Sequence, residues 1–443
     1  MYRYTLEKYL DARERHMTER YAADPGKQPL AFWLVIAGVT FNLALCFIAT
    51  HVHPVSQTDA TVVEVALLLV GLAAIWRHLP TDLFCAAGLV AGWLMVVHLL
   101  DPELGQTAFI NLAIPLIYVV LGRVAGTPRL GDRLVLILAG LTFAIGVLEM
   151  FDTALYEQLF NVLRYYIAKG VLKPGESKVT GTNLFVSSIR PSGEGRSLLP
   201  ALGPLRAGSI FLEPISVGNF AIICAAWGFV RYRVRPRFAV ATIALALGIA
   251  VLADSRQAVA CIALIGLALT TPLPQSRGLL FLFPFGILAY LFWVGWFHPV
   301  RAIDDTFGGR IYGSGTLLAS FSLAQWFGVA DAGQRAVDCG YAQLLEGLGI
   351  IPISLIWAVF ALWRSDSVLF NRYRCALVIY LGVSLTITGS VMSIKTGALA
   401  WYLLGASLMG YERKDPVPAA ARTIPAWARR RAVALRPRNP ATL

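Results

Sequence analysis

The residues of this chain best suited to chemistry are arginines and acids gathered in three short stretches. Arg206 stands seven residues before Glu213, about two helical turns along one face if a helix starts early. Arg256 directly follows Asp254 and Ser255, at a tight turn between two apolar blocks. Arg310 lies in a long polar segment that closes on Asp338 and Tyr341. Arginine keeps its charge at any working pH and grips phosphate or carboxylate through two parallel hydrogen bonds. Arg206, Arg256 and Arg310 therefore suit a phosphate-bearing ligand.

Other chemistry finds little support. His51 and His53 have no third ligand nearby, and the acid pairs Asp101 with Glu103 and Asp304 with Asp305 read as solvated loop charges. The six cysteines show no ligand spacing. No Walker A loop, HExxH or GxSxG is present. Neither a metal nor a cofactor is expected, and the net charge of +12 is distributed in a way that does not call for nucleic acid.

The elements that must carry these residues are apolar blocks. Of 443 residues 57% are apolar and 14% charged, against roughly 25% charged in a soluble globular protein. The pattern predicts an all-α bundle of twelve membrane spans at 30–50, 60–76, 81–100, 107–122, 134–151, 209–230, 236–253, 256–271, 278–297, 341–363, 375–391 and 397–411. With both termini cytoplasmic, most of the 38 Lys and Arg fall in inner segments, and the short outer loops carry only Arg256 and Lys395. No cleavable signal peptide is expected in residues 1–29, and residues 412–443 read as a basic cytoplasmic tail.

Two outer segments, 152–208 and 298–340, are long enough to carry a function. Residues 154–169 read as one amphipathic helix lying on the membrane, with Leu155, Leu159, Leu163 and Ile167 on one face. Residues 173–208, rich in Gly, Pro and Ser, read as a loop without a core. Glu64, Glu149, Glu213, Asp254 and Glu346 all fall toward the outer ends of their spans. Such intramembrane charges usually mark function, and their asymmetry suggests a polar cavity opening outward.

The run from Asp338 to Gly349, the stretch Arg206 to Pro214 followed by Gly218, and Asp254-Ser255-Arg256 together resemble, in order, the motifs of the Wzy-type polysaccharide polymerase and O-antigen ligase superfamily. O-antigen ligases typically carry a histidine where this chain has Asp338, which favours the exopolysaccharide polymerase branch. The resemblance implies a metal-independent, inverting membrane glycosyltransferase at the periplasmic face of the bacterial inner membrane. It would act on undecaprenyl-pyrophosphate-linked oligosaccharides in the lipid bilayer, with a chain-length regulator as a further partner. On that reading Arg206, Arg256, Arg310 and Tyr341 bind the pyrophosphate and substrate, and Asp338 and Glu213 are catalytic. A ligase and a lipid-linked oligosaccharide flippase are the alternatives.

Overall fold

The computed structural model describes residues 24–100, 106–173, 181–190, 196–299, 307–330 and 339–408. All of them belong to one unit, Met1–Gly410. Residues 1–23, the tail after 408, Asp338 and the pairs Asp101–Glu103 and Asp304–Asp305 lie outside the described residues. Apart from an isolated antiparallel bridge between Ile189 and Leu205, the regular elements are helices. They are α1 (Gln28–His51), α2 (Gln57–Ile75), α3 (Thr81–Leu100), α4 (Gln106–Ala125), α5 (Pro128–Phe151), α6 (Thr153–Leu159), α7 (Val162–Ala168), α8 (Pro214–Arg231) and α9 (Pro236–Leu252). There follow α10 (Arg256–Ala268), α11 (Arg277–Phe297), α12 (Phe307–Ala319), α13 (Leu323–Trp326), α14 (Gly340–Leu348), α15 (Ile350–Leu362), α16 (Val368–Ser384) and α17 (Ile394–Leu408).

Local chemistry sets the helix ends. Ser56 and Asp59 form a capping box at α2, and Thr127 caps α5 ahead of Pro128. The expected single helix over 341–363 is instead two, bent by 108° at Gly349. That residue has φ +78, and a Cβ there would meet the Phe327 carbonyl at 2.3 Å, so only glycine fits. The expected amphipathic helix over 154–169 is also two pieces, α6 and α7. Tyr156, Phe160, Leu163, Tyr165 and Tyr166 are buried, and Tyr165 donates to Asn42 of α1 at 2.8 Å. These pieces pack against the protein.

The twelve-span bundle is corrected. Among the described residues five helices are long and apolar enough to cross a membrane: Pro25–His51, Gln57–His78, Pro128–Phe151, Pro214–Arg231 and Arg277–Phe297. The bent pair would make a sixth. The apolar stretches Leu83–Leu99, Phe109–Ala125, Pro236–Leu252 and Arg256–Ala268 are shorter; even 17 residues rise only about 25 Å, against a hydrocarbon core of about 30 Å. Helices α16 and α17 are apolar because protein surrounds them. Fourteen of the 15 residues of α17 are buried, and α17 packs on α1, α4, α5, α8 and α16. Hydropathy cannot separate a helix enclosed by other helices from one enclosed by lipid. The expected multi-pass inner-membrane topology, with its two long periplasmic loops, falls with the count. Segments 152–208 and 298–340 themselves hold α6, α7, α12 and α13.

Candidate functional site: an arginine-lined pocket

The site is built on the turn between α9 and α10. Helix α9 ends at Leu252, where the N–H groups of Asp254 and Ala207 donate to the Val251 and Leu252 carbonyls at 3.0 Å. The Arg196 guanidinium adds a second donor to each and also bonds the Leu205 carbonyl. Arg206 adds a bond from Nε to the Ala253 carbonyl at 3.3 Å. Cations at a helix C-terminus also complement its dipole. Asp254 then takes a left-handed conformation, φ 49, which Asp tolerates better than most residues. Ser255 caps α10 by accepting from Ala258 N–H at 3.3 Å. Helix α8 passes so close that a Cβ on Gly218 would lie 2.4 Å from Ser255 Oγ, which explains the glycine.

Asp254, 1% exposed, holds Arg190, Ser197 and Leu198 against this turn. Its Oδ2 accepts from Arg190 Nη2 at 2.9 Å and Nε at 3.2 Å, and its Oδ1 from the N–H of Ser197 at 3.0 Å and Leu198 at 2.7 Å. A two-residue ribbon adds to this, with Arg206 N–H donating to the Ser188 carbonyl at 2.7 Å. Helix α12 brings in Arg310, and Ser314 fixes that helix by donating to the Thr386 carbonyl at 2.8 Å.

The result is a cavity of about 60 Å³ lined by Arg190, Arg206, Arg256, Arg310, Asp254 and Gln257, with Ser255, Ile215 and Ile387. That exceeds the roughly 10–15 Å³ a single water needs, so the cavity has room for a small anion. Four guanidiniums face one carboxylate, whose oxygens are already bonded. Arg190 and Arg206 are buried, Arg310 is half-buried and Arg256 is exposed. The buried Gln257 Nε2 has no acceptor, a donor that an anion would satisfy.

Arg206, Arg256 and Arg310, scattered over a hundred residues of chain, thus line one pocket. Glu213 and Tyr341 do not line it. Glu213 accepts from Tyr166 OH at 2.6 Å, Ser216 Oγ at 3.0 Å and Lys395 Nζ at 2.8 Å. Burial alone would raise its pKa, but the Lys395 charge and these bonds outweigh it and hold Glu213 below the usual carboxylate range. A carboxylate so engaged is a poor base. Tyr341 is buried and donates to the Gly382 carbonyl at 3.1 Å, a packing role. Asp338 lies outside the described residues.

The acids expected to open outward are mostly staples. Glu149, 1% exposed, accepts from the N–H of Gly208 at 3.0 Å and Ser209 at 2.6 Å. Sequence reasoning missed Arg190 and Arg196, which fell in a segment read as coreless; their signal was two arginines flanking a Pro-Gly run. Among the described residues no group of three or more His, Cys, Asp or Glu is placed to hold a metal.

Comparison with protein-family models, with curated proteins and with solved structures gives no match to this chain. The polysaccharide polymerase reading, and the ligase and flippase alternatives with it, is corrected on structural grounds. It required a twelve-span bundle, where the structure has five or six eligible helices. It also required acids facing an open outer cavity, where Glu149, Glu213 and Asp254 are bonded into the fold.

Proposed function

We propose that this protein binds a phosphate-bearing ligand at the arginine pocket. The observation that supports the reading is the convergence of four guanidiniums, those of Arg190, Arg206, Arg256 and Arg310, on one cavity whose lining acid, Asp254, is already paired to Arg190 and to two backbone amides. Guanidiniums match phosphate geometry, and a partly closed cavity strengthens such bonds. The α10 N-terminus, at the same turn, favours an anion further.

Titration calorimetry on the full-length chain with inorganic phosphate, pyrophosphate and a short-chain alkyl phosphate tests the proposal. Saturable binding is expected, weakened about tenfold or more by Arg256→Gln, since a hydrogen bond to a charged group contributes about 1.5–3 kcal/mol. Equal affinity in the native protein and in an Arg256→Gln/Arg310→Gln double variant refutes it.

A further inference from the structure

The arginine pocket is rich in hydrogen-bond donors and poor in acceptors. A guanidinium carries N–H groups in a fixed fork and has no lone pair to offer, and four of them line the cavity, from Arg190, Arg206, Arg256 and Arg310. Gln257 lines it too, and its buried Nε2 has no acceptor among the described residues.

The acceptors of the cavity are largely spent. Asp254 is the one acid among the described residues that line it. A carboxylate has about four lone-pair sites, and four donors use them here. Arg190 Nη2 and Nε bond Oδ2, and the N–H groups of Ser197 and Leu198 bond Oδ1. Ser255 Oγ already accepts from the Ala258 N–H. What is left on the Ser255 and Gln257 side chains is neutral oxygen, a weaker acceptor than a carboxylate.

This imbalance bears on the protons of the ligand. A phosphate oxygen without a proton accepts from a guanidinium. A P–O–H must instead find an acceptor of its own, and an unmade bond in a closed site is costly. The charged acceptor in this pocket is full. Four positive charges act in the same direction, favouring the more negative form of whatever they hold.

We propose that the pocket selects its ligand by protonation state, taking a phosphate group whose free oxygens are all ionised and rejecting one that still carries a P–O–H. This selection rests on the phosphate-binding reading and narrows it to a doubly ionised monoester, a diester or a fully ionised pyrophosphate.

Titration calorimetry on the full-length chain with methyl phosphate and with sulfate, between pH 5 and pH 8 at constant ionic strength, tests the selection. The second proton of a phosphomonoester leaves near pH 6, whereas sulfate is fully ionised throughout. No His, Lys, Cys or Glu is among the described residues that line the cavity, and arginine keeps its charge over this range. Sulfate therefore reports any change in the protein itself, including Asp254 and Arg196, whose guanidinium bonds the carbonyls of the same turn. Methyl phosphate should bind about tenfold more tightly at pH 8 than at pH 5, following its doubly ionised fraction, while sulfate affinity stays constant. Methyl phosphate affinity that is flat over the range, or that changes in parallel with sulfate, overturns the selection and leaves phosphate binding standing. If neither probe binds at pH 8, the phosphate-binding reading fails and the selection with it.

Discussion

Asp254→Asn isolates the charge on which the arginine pocket is assembled. Asparagine is nearly isosteric and tolerates the left-handed φ of 49, so the backbone is not perturbed. The carboxylate accepts four bonds, two from Arg190 and two from the amides of Ser197 and Leu198. An amide can turn its oxygen toward only one of these donor pairs, and its NH2 then faces the other. Arg190, 6% exposed, loses its charged partner at Asp254. Breaking a buried pair from one side costs about 3–5 kcal/mol. At about 2.1 cal/mol/K per residue, a chain of 443 residues loses about 3–5 °C of melting midpoint. The assay is a double-mutant cycle on thermal or denaturant unfolding with Asp254→Asn, Arg190→Gln and both together. The double variant should cost little more than either single one, giving a coupling of about 2 kcal/mol or more. Additivity within about 0.5 kcal/mol, the behaviour of independent sites, refutes the pairing as the organiser of the pocket.

Three further outcomes follow from the same geometry. Gly218→Ala places a methyl 2.4 Å from Ser255 Oγ and should destabilise by about 1–3 kcal/mol through overpacking, with Ser255→Gly restoring part of the loss in a chemical-denaturation series. Glu213 has a depressed pKa in the fold, so its contribution is present above the ordinary carboxylate pKa of about 4.3 and is lost as pH falls through the folded value. The stability gap between the native protein and Glu213→Gln should accordingly be largest near neutral pH and close in acid. Lys169 sits over the Tyr165 and Tyr166 rings at 5.1 and 5.8 Å, and burial, with Lys395 nearby, lowers it to about 8 despite Glu213 and Glu64. The fold thus disfavours its charge: the penalty is full below pH 8 and is relieved as pH rises toward the unfolded value of about 10.4. Lys169→Met should raise the melting midpoint at pH 7, and that advantage should vanish above pH 10.

Helix positions were legible because apolar blocks bounded by Pro, Gly and capping residues leave the backbone few other options. The surroundings of those helices were not. A run such as 397–406 is apolar because the protein encloses it, and nothing in its composition separates this from a lipid environment. Gly349 is the local case. It was visible as a glycine, but its role as a 108° break depends on Phe327, which approaches from another part of the chain.

The charges divide along the same line. An arginine's ability to bind phosphate is a property of its type, so Arg206, Arg256 and Arg310 could be singled out before their meeting point was known. Whether an acid is reactive depends on how many donors reach it, and those donors are remote in sequence: Lys395 comes to Glu213 from 182 residues away, and Gly208 and Ser209 come to Glu149 from about 60. Once the remote donors are in place, Glu149, Glu213 and Asp254 serve as fasteners of turns and helix ends. Arg374 is the converse case, because its two acceptors, Trp363 and Asn371, are close in sequence and neutral. The fold supplies remote donors to these buried acids but, among the described residues, no acid to this buried arginine.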